Sequence, residues 1–64
     1  MKRREFLSHL RANQCKLARE GAKHSIFRNA SSGVISTVPR HQDISNILAR
    51  KICRDLGIPH PKQS

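Results

Sequence analysis

Ile44, Ile47, Leu48, Ile52 and Leu56 recur at helical spacing near the end of this chain, and Gly57, Pro59 and Pro61 follow directly. This run constrains the fold more than any other. The spacing predicts a helix over Gln42–Leu56 with a single apolar stripe. Gly57 supplies a left-handed cap, and the prolines forbid continuation. Asp43 falls in the predicted first turn, where a negative charge suits the helix dipole. Arg50, Lys51 and Arg54 make the outer face basic. A one-sided helix must bury its stripe against another layer, and that layer has to come from the residues before it.

Those residues offer a second helix and three short strands. Lys2 to about Asn13 carries Phe6, Leu7 and Leu10 on one narrow stripe, and Asn13 is a candidate left-handed cap. Cys15 to Arg19 alternates apolar and basic residues, the pattern of a half-buried strand. Glu20 to Lys23 reads as a turn in which Gly21 permits a positive φ. His24 to Arg28 is a second strand whose faces leave two readings. If Phe27 faces the helices, His24 lies on the open face with Ile26 partly exposed. If Ile26 faces inward, a bulge or a frayed strand start must bring His24 out. Asn29 to Gly33 is a loop by composition, and Val34 to Val38 is a β-branched third strand ended by Pro39.

Short turns between short strands imply an antiparallel meander. The expected fold is a small α+β domain of order helix, three antiparallel strands, helix, with both helices on one sheet face. The other face is left open to solvent or a partner. Double-stranded RNA-binding domains share this layout, although layout alone does not transfer function. At 64 residues the chain is a single domain over 1–64, with a frayed tail from about residue 60. A domain this short buries a modest core and has no room for a deep cavity plus a cofactor. A shallow site, or one completed by a partner, is expected.

Charge narrows the partners. Thirteen Lys and Arg against four Asp and Glu give a formal net charge of +9. The cations recur from Lys2 to Lys62, and the acids Glu5, Glu20, Asp43 and Asp55 stand singly. Such a surface draws polyanions, nucleic acid first and an acidic protein second. Phe6 and Phe27 are the only aromatics, so recognition by base stacking is disfavoured against backbone and shape. No stretch is long or apolar enough to cross a membrane. Met1-Lys2-Arg3-Arg4 leads into a mixed helical pattern rather than an apolar run, so a cytoplasmic protein is expected. Cys15 and Cys53 then read as reduced thiols packed as small apolar groups. Their spacing to His9, His24, His41 and His60 fits no zinc motif, and no metal or cofactor is expected.

The chemistry concentrates at Gly21-Ala22-Lys23-His24-Ser25-Ile26-Phe27-Arg28. An imidazole moves a proton near neutral pH, and fixed cations beside it hold a phosphate and offset charge developing on it. A lone surface histidine more often has no role at all, and local context does not overturn that reading. The segment nevertheless resembles the glycine-X-basic-His-X-apolar-aromatic motif of the HicA toxins, small basic ribonucleases of bacterial toxin–antitoxin pairs. Glu5-Phe6-Leu7 with Leu10 resembles that family's first helix. Val38-Pro39-Arg40-His41 resembles the element after its third strand, and Leu48 to Ile58 its closing helix. The likeness covers nearly the whole chain. Ala22, Ala30 and Ile47 depart from the family pattern at turns and at the helix start, not at the histidine.

The resemblance implies a double-stranded RNA-binding-like fold and cleavage of messenger RNA. It implies one catalytic histidine, which maps onto His24, and an acidic or mixed-charge antitoxin, HicB, that covers the active face. His24 is then the candidate general base for a ribose 2′-hydroxyl, a chemistry that needs RNA and no metal. Lys23 and Arg28, with Arg19 from the end of the first strand, are candidates for holding phosphate. His9 and His41 are less suited to act, with His41 placed to cap or line the start of the second helix. No second titratable group stands out as the acid for the leaving oxygen, which leaves water. A non-catalytic RNA-binding module, and a structural protein whose charge meets an acidic partner, are the competing readings.

Overall fold

In the computed structural model of the chain, which describes residues 1–61, the order is α1 (Arg3–Ala12), β1 (Cys15–Glu20), β2 (His24–Asn29), β3 (Ile35–Pro39) and α2 (Asn46–Leu56). The strands form one antiparallel sheet in the order β1-β2-β3. Phe6 and Leu10 of α1 and Ala49, Ile52, Cys53 and Leu56 of α2 join Cys15, Phe27, Val38 and Ile44 in one buried cluster. Both helices therefore cover the same sheet face, as expected, and Leu48 packs against the cluster from its margin. Among the described residues, no helix is long and apolar enough to cross a membrane.

The alternation along β2 is settled by two polar residues. Ser25, Phe27 and Asn29 are buried, while His24 and Arg28 are exposed and Ile26 is half-buried. Phe27 faces the helices because Ser25 and Asn29, in phase with it, find partners there. Asn29 Nδ2 donates to the Leu56 carbonyl at 2.8 Å, one of the carbonyls a helix end leaves unpaired. Ser25 is bonded by Arg3 and Glu20. β2 thus runs one residue further than expected, through Asn29.

Several expectations need correction. α2 starts at Asn46 rather than Gln42, and Asp43 is not in its first turn. Ser45 is its cap, with Oγ accepting from the Leu48 N–H at 3.2 Å. Residues 42–44 instead pair with the start of the chain. Arg3 N–H donates to the Gln42 carbonyl at 2.8 Å, Ile44 N–H to the Met1 carbonyl at 2.8 Å, and Lys2 bridges Asp43. Ile47, in phase with the apolar run on paper, is 83% exposed. Ala49 and Cys53 hold the buried positions instead. At the end of α1, Gln14 and not Asn13 takes the positive φ, 68°.

Gly57 caps α2 in the left-handed conformation, with φ 71°. The frayed tail expected over 60–64 lies largely outside the described residues. Within them, His9 Nε2 donates to the Pro59 carbonyl at 2.8 Å and Pro61 is buried. Both cysteines are free and buried. Burial, with Cys15 close by, pushes the Cys53 thiol up to about 11, so it is protonated and inert at neutral pH.

Candidate functional site

The site begins with how the chain turns into β2. Gly21 is glycine for want of space rather than for a positive φ. Its N–H donates to the His24 carbonyl at 2.8 Å, and a Cβ there would meet that oxygen at 2.9 Å. The turn is therefore tight against the backbone of His24 itself.

A polar clamp holds this turn from the helix side. Arg3 Nε donates to the Pro39 carbonyl at 2.9 Å, and its guanidinium reaches Ser25 Oγ at 3.0 Å. The Ser25 hydroxyl donates to one Glu20 carboxylate oxygen and Arg40 binds the other. Arg40 also donates to the Gly21 carbonyl at 2.7 Å. The Ser25 hydrogen bond first, then the charges of Arg40 and Arg3, hold the Glu20 carboxyl below the usual carboxylate range. Ser25 is fully buried and partnered, which anchors the clamp to the fold, while the Glu20–Arg40 ion pair at its outer end is exposed.

His24 opens β2 on the free face of the sheet, exposed, and pairs in register with Pro39. Arg28 lies on the same face but at the far end of the strand. Four residues at a strand's rise of about 3.3 Å separate them by roughly 13 Å. The Arg28 guanidinium lies instead against Gly33 in the β2–β3 loop. Lys23 is exposed in the turn. Arg19 reaches the open face through an irregularity. Strict alternation would put it with Cys15 and Leu17, on the helix side. A bulge at Ala18 shifts the register so that Arg19 pairs with Ile26, which turns it to the open face. Lys16, opposite Arg28, is on that face too, a cation the sequence reading did not single out.

The open face therefore carries Lys16, Arg19, His24 and Arg28 around Ile26 and Ile35, with no acid among them. The register leaves Arg19, opposite Ile26, a diagonal neighbour of His24 on this face, whereas Arg28 stands at the far end of the strand. What else the fold brings to His24 was missed from the sequence. A hollow of about 220 Å³ at the β3 edge is lined by His24, Thr37, Pro39, His41, Lys51 and Ile52. That is below the roughly 300–1,000 Å³ of an enclosing small-molecule pocket, so the hollow is a shallow surface feature. Lys51 belongs to the basic outer face of α2 legible in the sequence. Its nearness to His24 was not, because it depends on how α2 returns past β3. Among the described residues, no three His, Cys, Asp or Glu side chains gather as a metal ion would need.

Nothing matches among curated proteins or among solved structures. The sequence profile of the family described as HicA toxin of bacterial toxin–antitoxin matches residues 3–58. That span runs from the first residue of α1 past the cap of α2 and includes every element of the sheet. The chain belongs to the HicA toxin family, the toxin half of a bacterial toxin–antitoxin pair whose other half is a cognate antitoxin.

Proposed function

We propose that this toxin is an endoribonuclease, an mRNA interferase, that cleaves messenger RNA in the cytoplasm with His24 as general base. His24 takes the proton from a ribose 2′-hydroxyl, and the released oxygen attacks the adjacent phosphorus. The P–O5′ bond breaks, leaving a 2′,3′-cyclic phosphate and a 5′-hydroxyl. The single observation that carries this reading is the position of His24. It stands exposed on an acid-free, basic sheet face, beside a shallow hollow.

Lys23 and Arg19 hold phosphate near His24, and Arg28, at the far end of the strand, holds one further along. The formal net charge of +9 and the acid-free open face support RNA as the polyanion. A HicB-like antitoxin, acidic or of mixed charge, is the proposed cover for the same face. Its seat over His24 would block RNA and toxin activity together.

The test is a labelled RNA incubated with wild type and His24→Ala, with and without excess chelator. Wild type should cut in both conditions and leave cyclic phosphate ends. His24→Ala should lose about 10²–10⁴-fold in rate, the usual worth of a positioned proton-transfer group, while still binding RNA. An exposed imidazole contributes little packing, so the variant should fold. Equal cutting by the variant removes His24 as the base. Binding without cutting by both proteins makes this a non-catalytic RNA-binding module.

A further inference from the structure

Cleavage by the 2′-hydroxyl needs a second proton transfer. The departing 5′-oxygen leaves as an alkoxide unless an acid protonates it. We infer that His41 is that acid, and that it works across the hollow from His24. This rests on the ribonuclease reading above and adds a second catalytic residue to it.

Three observations support the assignment. First, His24 and His41 line the same hollow although they come from different elements. His41 follows two residues after Pro39, the register partner of His24. Second, His41 is held on both sides although it sits outside any helix or strand. Arg40 before it is anchored to Glu20 and to the Gly21 carbonyl at 2.7 Å. The Gln42 carbonyl after it accepts from Arg3 N–H at 2.8 Å. Gly21 in turn is bonded to the His24 carbonyl at 2.8 Å. One chain of contacts thus fixes the backbone of both histidines relative to each other.

Third, the hollow is also lined by a cation, Lys51 of α2. Lys51 Nζ donates to Asp55 at 2.9 Å, which orients the side chain and leaves ammonium protons free for a phosphate oxygen. The charged and titratable groups lining the hollow are His24, His41 and Lys51, and β3 adds only uncharged Ser36, Thr37 and Pro39. In an in-line displacement the attacking and departing oxygens lie on opposite sides of phosphorus, so base and acid must flank the phosphate. Two imidazoles from different elements and a cation on one hollow supply the groups that requirement calls for. The proton His24 accepts and the proton His41 gives balance the step, and water restores both afterwards.

A leaving group that needs no proton isolates the acid. After the main cleavage site in a labelled RNA is mapped with wild type, the same RNA is made with sulfur in place of the bridging 5′-oxygen at that site. A thiolate, with a thiol pKa of about 8.5, departs without protonation. On the ordinary RNA, His41→Ala should be slowed by about 10²–10⁴-fold. On the sulfur-containing RNA it should cut at close to the wild-type rate, whereas His24→Ala should remain slow on both. The circular dichroism of His41→Ala should match wild type, since the side chain is exposed.

Each other result overturns the inference in its own way. If His41→Ala cuts ordinary RNA as fast as wild type, the acid is elsewhere and the ribonuclease reading stands. If it is slowed equally on both RNAs, His41 binds or shapes the site and is not the acid. If the sulfur rescues His24→Ala instead, the two roles are exchanged. If wild type cuts neither RNA, the ribonuclease reading itself fails and takes this one with it.

Discussion

Glu20 is the residue whose ionisation bears most directly on the turn before His24. Its carboxylate joins Ser25, Arg40 and, through Ser25, Arg3, and so ties the turn before His24 to the loop that carries His41. Its folded pKa lies below the unfolded value. A group of that kind stabilises the fold fully above its unfolded pKa, and the contribution is lost as pH falls through the folded one. Thermal unfolding of wild type and Glu20→Gln between neutral pH and pH 3 tests this. Wild type should melt higher at neutral pH, and the gap should close in and below the carboxylate range. A gap that stays constant would mean that the clamp holds by shape or neutral hydrogen bonding. Gly21 makes the complementary point without a charge. It was readable as a turn residue, but the reason it must be glycine was not. That reason is the His24 carbonyl 2.9 Å from where a Cβ would sit, a contact no local pattern reveals.

Among the elements, α2 shows what the sequence can and cannot state. Its amphipathic run and glycine cap were legible because both are local. Its start was misplaced because Ile44 falls in helical phase while its backbone partner, Met1, lies some forty residues away in sequence. The same cause hid the partner of His24. His24 was singled out through the resemblance of the residues around it to a family motif, whereas His41 and Lys51 join its hollow only once β3 and α2 have folded back. The face of β2 was undecided because the partners of Ser25 and Asn29, Arg3 and the Leu56 carbonyl, are remote in sequence too. The energetics of α2 can be checked residue by residue. Ser45→Ala removes the cap and should cost about 0.5–2 kcal/mol. Ile52→Ala empties a buried site and should cost about 2–5 kcal/mol, enough to unfold so small a domain. Ile47→Gln should stay within about 0.5 kcal/mol, because that side chain is already in water. Urea denaturation of the three variants ranks them, and a loss at Ile47 comparable to that at Ile52 would contradict the packing described here.

Across the whole molecule, charge is sorted by face. Of the four acids, Glu5 accepts the Lys2 N–H at the start of α1, Glu20 is held in the clamp and Asp55 binds Lys51, while Asp43 lies in the bridge to Lys2. None reaches the open face of the sheet, where Lys16, Arg19 and Arg28 stand. A net charge of +9 alone would attract any polyanion from any side. On the proposed reading, the acid-free side is where phosphates are expected to bind. Each cation that contacts a phosphate releases about one counterion, so each should add about one unit to the slope of log affinity against log salt. In the His24→Ala background, where the RNA stays intact, Arg19→Ala and Arg28→Ala should each weaken binding and flatten that slope by about one. Arg11→Ala, on the helix side, removes the same charge and should leave the slope nearly unchanged. Fluorescence anisotropy of a labelled RNA over a salt series reads all three. If Arg11→Ala flattens the slope as much as the other two, the RNA answers to net charge and the open face is not its seat.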